Sequence, residues 1–335
     1  MATIKKIDIL IPTYNGSDCI VDTIKSILSQ NYKNFRIILC DDASTDNTLP
    51  LVKSLKDARI TIINNRKNLG YSKNLERARK KATAEIIYLM GQDDIMAKDT
   101  LKNTVNAFKN PQVGAVTRPY FWFDKDINFP VRAKKQLGKR KDTLVKITHK
   151  SEKVIRVFQS LDQLSGLAYR RKFMKLPFHP DIFPCHIYPF IDIFKKHPII
   201  FLKDYNIAVR IASSQTRTLS SIYEKSPLLS WVEMVKNVLF EKKYLKIQKY
   251  LIKDFITQNY IGLVQLRNYA KYKYFLREIY YLVKFNWRNL FNPIFYIFSL
   301  LLIVTPPFIL IPAVDLWKNK IYSQKLKNIK FSYKI

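Results

Sequence analysis

The fold is predicted by an apolar run that ends in polar residues, IDILIPTYN at residues 7–15. Two further runs have the same form, FRIILCDDASTDNT at residues 35–48 and EIIYLMGQDD at residues 85–94. Each begins like a buried strand and turns polar or acidic where that strand should end. In an open α/β sheet, ligands bind at the carboxyl ends of the parallel strands. The three polar segments should therefore meet at one edge, where their carboxylates could hold a divalent cation and a sugar hydroxyl.

Apolar runs alternate with segments of helical periodicity as far as about residue 117, which is typical of βαβ units and a mostly parallel sheet. The predicted strands are Ile7–Ile11, Phe35–Cys40, Arg59–Ile63, Glu85–Met90 and Val113–Thr117. The predicted helices are Cys19–Gln30, Asp46–Leu55, Ser72–Ala82 and Lys98–Phe108. Residues 121–148 are basic, aromatic and weakly periodic, and they are predicted to be a variable loop or lid. A helix at Ser151–Ser160, a strand at Leu167–Tyr169 and a helix at Tyr188–Lys196 are expected beyond them.

The composition indicates an anionic partner. The 335 residues contain 58 Lys and Arg against 26 Asp and Glu, a net charge of +32. Such a charge fits nucleic acid, an acidic membrane surface or a phosphorylated substrate, and alone it does not separate them. The three cysteines, Cys19, Cys40 and Cys185, have no paired spacing and are expected to be free thiols in a reducing compartment. No apolar signal segment precedes the first strand, so the catalytic part is expected to be cytoplasmic.

Residues 226–335 are predicted to form a basic, aromatic helical region that associates with a membrane. One helical face there is basic and the opposite face is apolar, which fits either a solvated face over a core or a helix on an anionic bilayer. The basic face has Lys242, Lys246, Lys249 and Lys253, and the apolar face has Tyr244, Ile247, Leu251 and Phe255. Residues 294–314 are uncharged and long enough to match a bilayer core, but Pro306-Pro307 interrupts them. An interfacial or re-entrant hairpin is expected, with a single span or a buried helix as alternatives.

Four ordered segments resemble the inverting glycosyltransferase family 2, whose catalytic domain has the GT-A fold. The segments are residues 11–15, 41–48, 68–70 and 92–94, and the resemblance covers about residues 4–217. It implies a Rossmann-like, mostly parallel mixed sheet flanked by helices over residues 1–225. The nucleotide-sugar half would be about 1–117 and the acceptor half about 118–225.

The resemblance implies a metal-dependent, inverting transfer of a hexosyl type. The donor would be a nucleoside-diphosphate sugar, with uridine as the expected base, and the acceptor a saccharide or polyprenyl-linked glycan of cell-surface polysaccharide synthesis. The expected partners include an anionic membrane surface and no nucleic acid. The expected location is the cytoplasmic face of the inner or plasma membrane.

The resemblance also assigns donor-site roles to residues of this sequence. Thr13 and Tyr14 would contact the base and ribose, Asp41 the nucleoside, and Lys73 the diphosphate. Asp93 would ligate Mg²⁺ or Mn²⁺ with help from Asp94, although Gly91 replaces the first Asp of the family's Asp-X-Asp motif. The predicted donor-binding residues are Pro12, Thr13, Tyr14, Asn15, Asp41, Asp42, Asn68, Gly70, Lys73, Gln92, Asp93 and Arg210. Asp46 is more typical of a helix-capping carboxylate than of a ligand contact.

The general base is ambiguous in the sequence. The family's Glu-Asp pair at a helix start is absent from residues 178–189. His186 lies closest to the expected position and imidazole is a competent base near neutral pH, while Asp181 and Asp192 are alternatives. The segment from Arg210 through Ser213, Ser214 and Arg217 would either fold over the diphosphate or form a solvated loop.

Two other classes of function remain open from the sequence. The charge would also suit a non-enzymatic binder of nucleic acid or an anionic surface, but that class does not explain the acidic strand ends. Gly91 and the missing Glu-Asp pair would suit a catalytically degenerate GT-A protein that acts as a binding module.

Overall fold

The computed structural model describes residues 5–212, 217 and 220–335, and every structural statement below concerns these residues. The chain divides into two compact units, Met1–Ile211 with Asn328–Ile335, called the sheet unit below, and Ala212–Lys327, called the helical unit. The sheet unit therefore contains two stretches of the chain, one up to residue 211 and one from residue 328. The sequence analysis placed a single boundary at residue 225.

Strands and helices alternate through the sheet unit. The strands are β1 Ile7–Thr13, β2 Phe35–Asp41, β3 Ile60–Asn64, β4 Ile86–Leu89, β5 Ile95–Met96, β6 Ala115–Thr117, β7 Phe121–Phe123, β8 Pro130–Ala133, β9 Thr143–Val145, β10 Ala168–Arg170, β11 Ile199–Phe201 and β12 Ile207–Arg210. The helices are α1 Ile20–Leu28, α2 Thr48–Ser54, α3 Tyr71–Lys81, α4 Thr100–Ala107, α5 Ser151–Gln159 and α6 Ile187–Lys196. Every strand and helix predicted up to residue 117 is confirmed, with ends that differ by a few residues.

Eight strands form one mixed sheet in the order β3-β2-β1-β4-β10-β6-β11-β9. Strands β3, β2, β1 and β4 are mutually parallel, and β10 runs antiparallel between β4 and β6. The register pairs Thr13 with Asp41, so β1 and β2 end side by side. Ile20, Ile24 and Ile27 of α1 are fully buried at helical spacing and belong to the same core as Ile9 and Ile11 of β1.

The prediction of a variable loop or lid at residues 121–148 is wrong, because the segment contains strands β7, β8 and β9. Strands β5, β12, β7 and β8 form a second sheet, and β9 is an edge strand of the large one. Phe121 and Phe123 are buried in a cluster with Ile95 and Ala208. Each of the three strands has only three or four residues, which is too short to give a periodic signal in sequence.

The last eight residues pack on the sheet unit. The Lys98 N–H donates to the Ser332 carbonyl at 2.9 Å, and the Ser29 hydroxyl donates to the Lys334 carbonyl at 3.0 Å. The Phe331 ring contacts the Phe121 ring edge-on, with 5.1 Å between centroids. The tail therefore covers one side of the small sheet, a role that its basic sequence did not indicate.

Cys19, Cys40 and Cys185 are buried, and none of the three is in a disulfide within the described part of the chain, as predicted.

The helical unit consists of consecutive helices. They are α7 Pro227–Val238, α8 Leu245–Gln258, α9 Tyr260–Tyr269, α10 Tyr272–Phe285, α11 Pro293–Val304 and α12 Pro307–Leu316. On the apolar face of the basic segment, Leu251 is buried and Phe255 stacks on Trp231 at 4.7 Å. These contacts fit the first alternative, a solvated lysine face over a core.

The uncharged segment 294–314 is divided between α11 and α12. The break falls between Val304 and Pro307, as the proline pair predicted. Across residues 5–212, 217 and 220–335, none of the helices is both long and apolar enough to cross a membrane.

Candidate functional site

The segments after β1 and β2 are joined by hydrogen bonds at the carboxyl edge of the large sheet. The Asn15 N–H donates to the Ser44 hydroxyl at 2.9 Å, and the Asn15 side-chain oxygen accepts from the Thr45 N–H at 2.8 Å. Asn15 has a φ of 47°, a left-handed conformation that asparagine tolerates better than most residues. Asp46, one residue before the N-cap Asn47 of α2, accepts from the Thr48 N–H at 3.0 Å and from the Ser17 N–H at 2.9 Å. Thr13, Tyr14 and Asn15 thus lie next to the Asp41 segment.

Asp41 and Asp42 are both buried, but their carboxylates have different partners. Asp41 accepts from the Ser44 N–H at 3.0 Å and from the Ser44 hydroxyl at 2.6 Å, within its own turn. Asp42 accepts from the Leu69 and Gly70 N–H groups at 2.8 and 2.9 Å and from the Asn65 amide at 2.8 Å. The carboxylate of Asp42 therefore holds the 68–70 turn. The hydrogen bonds of the Asp41 carboxylate that the described residues provide come from Ser44, in the turn that follows β2.

The 68–70 turn requires glycine at its last position. Gly70 has a φ of 83°, a conformation that L side chains rarely adopt, and α3 begins directly after it. The Asn68 side-chain oxygen accepts from the Gly70 N–H at 2.9 Å. Lys73 is exposed in the first turn of α3. The turn and the start of α3 are thus attached to the end of β2 through Asp42.

Gln92 joins the segment after β4 to the segment after β1. Its side-chain oxygen accepts from the Tyr14 N–H at 2.8 Å, and its amide donates to the Tyr14 carbonyl at 3.2 Å. The Thr23 hydroxyl donates to the Gln92 carbonyl at 2.9 Å. These bonds bring the predicted base-binding and metal-binding segments to one edge, as the sequence predicted.

Asp94 is fully buried and held from three sides. It accepts from the Arg210 N–H at 3.0 Å, from the Gln163 amide at 3.1 Å and from the Ser165 hydroxyl. Burial, together with the charge of Asp93, raises the pKa of Asp94 to about 8. Both carboxyl oxygens of Asp94 already accept from these three donors, so this geometry favours a supporting role for Asp94.

Asp93 is half-buried, and its carboxylate is the more suitable cation ligand. A Cβ added at Gly91 would lie 3.2 Å from Asp93 Oδ1 and 3.0 Å from Asp94 Oδ2, so both carboxyl groups occupy the space beside Gly91. Among the described residues, no group of three or more His, Cys, Asp and Glu side chains could hold a metal ion. The Asp93 carboxylate, with Asp94 beside it, is a donor set that a Mg²⁺ or Mn²⁺ ion could use if phosphate oxygens and water completed its shell.

Arg210 is the last residue of β12 and brings a positive charge to the same edge. Its Nε–H donates to the Asp93 carbonyl at 3.2 Å, and its guanidinium approaches Asp22 at 3.3 Å. The sequence expected this arginine in a loop, but it is fixed at the end of a strand. Ser213 and Ser214, from the same predicted segment, lie outside the described residues. Arg217, within the helical unit, stands over the Tyr269 ring at 5.5 Å.

His186 has buried contacts that limit its use as a base. Its Nε2 bonds to the Leu161 carbonyl at 2.9 Å, and burial lowers the pKa of the imidazole to about 4. The side chain is 4% exposed and that of Asp181 is 5% exposed, so the two candidates differ in their contacts and not in their burial. His186 thereby supports the Leu161–Ser165 segment, whose Gln163 and Ser165 contact Asp94. These contacts favour a structural role for the residue that the sequence ranked first.

Asp192 is bonded within its own helix. It pairs with Lys196 at 2.7 Å on α6, and its charge acts on His197 directly after that helix. The charge of Arg170, which bonds Glu85 just before β4, also acts on His197, whereas Asp93 follows the carboxyl end of β4. These contacts give no link between Asp192 and the polar edge.

Asp181 lies on the side of the site where α3 begins. Burial raises the pKa of the Cys185 thiol to about 12, and Asp181 adds to the rise, while contacts with Ser72 and Tyr71 lower it. Cys185 therefore contacts the first turn of α3, directly after Gly70, and lies within range of the Asp181 charge. Of the three candidate bases, Asp181 is the one whose neighbours belong to the donor edge.

Two contributors at this edge were missed by sequence reasoning. The Ser165 hydroxyl accepts from the Gly91 N–H at 2.7 Å and also bonds Asp94, and Asn65 bonds Asp42. Each partner is distant along the chain. The sequence pointed to one of them through the Ser165-Gly166 pair. Gly166 has a φ of 95°, a left-handed conformation that favours glycine in a turn.

A mixed sheet with polar segments at its carboxyl edge defines an α/β domain of the GT-A class. Residues 8–174 match the sequence model of the family described as "Glycosyl transferase family 2". This part of the chain belongs to that family, so the family, the fold class and the glycosyltransferase class predicted from the motifs are confirmed.

A curated relative has a related sequence over the same part of the chain. The protein named UDP-Glc:alpha-D-GlcNAc-diphosphoundecaprenol beta-1,3-glucosyltransferase WfaP, from Escherichia coli, is 36% identical over 107 residues. The match covers 32% of this chain and 43% of that protein. The chain therefore matches less than half the length of this relative.

Two solved structures share the fold at low sequence identity. S. aureus TarS 1-349, in complex with UDP-GlcNAc, aligns with a TM-score of 0.64 at 17% identity, covering 84% of this chain and 80% of that one. Mannosyltransferase PcManGT from Pyrobaculum calidifontis, in complex with GDP-Man and Mn²⁺, gives 0.53 at 16% identity, covering 95% and 89%. At these identities the likeness shows the fold.

Proposed function

We propose that the protein transfers a sugar from a UDP-sugar to a saccharide or lipid-linked acceptor in polysaccharide or glycan synthesis. The observation that carries the proposal is the hydrogen-bonded junction of the Thr13–Asn15, Asp41–Asp42 and Gln92–Asp94 segments at one sheet edge, within a family 2 domain. The UDP-GlcNAc complex of TarS supports the choice of uridine, and the name of WfaP supports a diphosphoundecaprenol-linked acceptor.

The residues at this edge would have different roles in donor binding. Asp41, at the end of β2, would accept a hydrogen bond from the nucleoside, and Tyr14 would lie against the base. Asp93 would hold a Mg²⁺ or Mn²⁺ ion, which when bound supplies charge neutralisation for the leaving diphosphate. The Mn²⁺ of PcManGT supports this choice of cation. The Arg210 guanidinium, fixed at the end of β12, would add a second positive charge beside the same phosphates.

Inversion requires a general base that removes the proton from the acceptor hydroxyl as it attacks the anomeric carbon from the face opposite the diphosphate. We assign this role to Asp181, because its charge acts on Cys185, whose thiol contacts Tyr71 in the first turn of α3. His186, with its Nε2 bonded to Leu161, would instead hold the Leu161–Ser165 segment in place.

A thermal-shift screen of nucleotide sugars with Mn²⁺ tests the donor assignment. UDP-sugars are expected to raise the unfolding temperature by several degrees at concentrations well above Kd, because ligand binding stabilises the folded state. GDP-mannose should produce a smaller shift, and Asp41→Ala should abolish the shift without lowering the unfolding temperature of the free protein by more than a few degrees. The same substitution at exposed Asp204 is the control. Absence of a shift with every nucleotide sugar would support a degenerate fold instead.

A pair of substitutions tests the base assignment. Asp181→Asn should lower kcat by at least about 10²-fold, because a general base typically contributes that much. His186→Gln should keep kcat within about threefold, since the glutamine amide can still donate to the Leu161 carbonyl. Steady-state kinetics with a saturating donor measure both. The reverse pattern, with loss in His186→Gln and retention in Asp181→Asn, would contradict the assignment.

A further inference from the structure

Exposed apolar side chains are concentrated in the helical unit. Of the 24 large hydrophobic residues exposed among those described, 21 lie between Phe240 and Ile321. The sheet unit has only Phe129, Leu176 and Ile335 in this group. Scattered exposed apolar residues are ordinary, but such a concentration marks a surface that something else covers.

Helix α11 is apolar on both of its faces. Phe295, Ser299 and Leu302 form the buried face, and the Phe295 ring lies 5.9 Å from the Tyr260 ring of α9. The opposite face has Ile294, Ile297, Leu301 and Val304 at spacings of three and four, and these side chains are between 54% and 74% exposed. A helix that is apolar all round is normally enclosed, so the outer face needs an apolar environment.

Helix α12 extends this surface. None of its ten residues is buried, although all except Asp315 are apolar. Phe308 is 76% exposed, and Trp317, directly after the helix, is 50% exposed. Tryptophan is enriched where protein meets the headgroup region of a bilayer, because its ring is apolar and its N–H is polar.

The charge of the helical unit identifies the covering partner. Residues 212–327 contain 18 Lys and Arg against 6 Asp and Glu. Exposed Lys320, Lys325 and Lys327 follow α12 directly, while Lys318 pairs with Asp315 at 2.7 Å. A second copy of this chain would bring equal positive charges together, whereas an anionic lipid surface attracts them.

We infer that the outer face of α11 and the exposed sides of α12 dock on an anionic lipid bilayer, with apolar side chains in the acyl boundary and the following lysines among the headgroups. A helix that lies in the interface enters only about 5–10 Å of the bilayer. The inference is independent of the proposed sugar transfer, because binding to vesicles needs neither donor nor acceptor.

Flotation of the full chain with vesicles tests the inference. The protein should float with vesicles that contain phosphatidylglycerol and much less with pure phosphatidylcholine. Joint replacement of Ile297, Leu301 and Phe308 by serine should lower the bound fraction at least tenfold. Phe129→Ser with Leu176→Ser, the matched exposed pair in the sheet unit, should leave binding unchanged. Equal binding by the triple-serine variant and the wild type would overturn the inference.

Charge variants give a second test that leaves the apolar surface intact. Replacing Lys320, Lys325 and Lys327 by glutamine should lower binding to anionic vesicles several-fold, and added salt should reproduce the loss in the wild type. The control replaces exposed Lys53, Lys56 and Lys109 of the sheet unit in the same way. Failure of the wild type to float with either vesicle would overturn the inference, as would a self-association in solution that the triple-serine variant abolishes.

Discussion

Asp93→Asn should reduce sugar transfer by about 10³-fold while leaving the fold intact. The half-buried Asp93 carboxylate lies beside Gly91, at the point where the first carboxylate of the family's motif is missing. With Asp94 buried and bonded to Ser165, Gln163 and Arg210, no other carboxylate in this turn is equally suited to a cation. Removing a group that stabilises transition-state charge typically costs 10²–10³-fold, and loss of the cation should place this variant at the upper end.

The measurement combines transfer kinetics with a Mn²⁺-dependent thermal shift by UDP. The variant should lose both, whereas its unfolding temperature without ligand should stay within a few degrees of the wild type, because Asp93 is not part of the core. Asp99→Asn is the matched control. Asp99 is exposed, and its carboxylate accepts from the Asn31 amide at 2.8 Å. A variant at position 93 with full activity and an unchanged response to Mn²⁺ would exclude Asp93 as the cation ligand.

The donor edge was predictable because its information is local. Ile7–Ile11 and Phe35–Cys40 are apolar runs long enough to predict strands, and parallel strands necessarily end at the same edge. The polar residues directly after them, such as Thr13 and Asp41, are then brought together by topology alone. The same reasoning predicted the segment with Asp93.

The roles within that edge were not predictable, because they depend on hydrogen bonds between distant residues. Asp42 follows Asp41 directly, yet its partners, the Leu69 and Gly70 N–H groups, lie 27 and 28 positions away. His186 was ranked first as a base from its place in sequence, but its ring bonds a carbonyl 25 positions earlier. Periodicity carries no information about such pairings. The sequence therefore identified the segments that form the site, but not the role of each side chain within it.

Arg170→Met should destabilise the sheet unit by about 3–5 kcal/mol, because a buried polar group left without its partner costs about 1–3 kcal/mol and three backbone carbonyls are affected. Arg170 is 2% exposed, and its guanidinium donates to three backbone carbonyls, those of Val113, Phe108 and Asn110, at 2.8–2.9 Å. It also bonds the Glu85 carboxylate at 2.6 Å. Methionine fills a similar volume but donates no hydrogen bond, so three buried carbonyls would lose this donor.

The neighbouring arginine is a matched control. Arg171 is exposed and its Nε–H donates to the Ala84 carbonyl at 2.8 Å, so Arg171→Met should cost less than about 1 kcal/mol. Urea unfolding gives the two free energies, and hydrogen exchange of the β10 and β4 amides reports on the sheet unit separately from the helical unit. Equal destabilisation by the two substitutions would show that the buried network contributes no more than one exposed bond. The expected difference arises because Arg170 ties β10 to the loop between α4 and β6, and β10 in turn carries the Ser165 turn that supports Asp94.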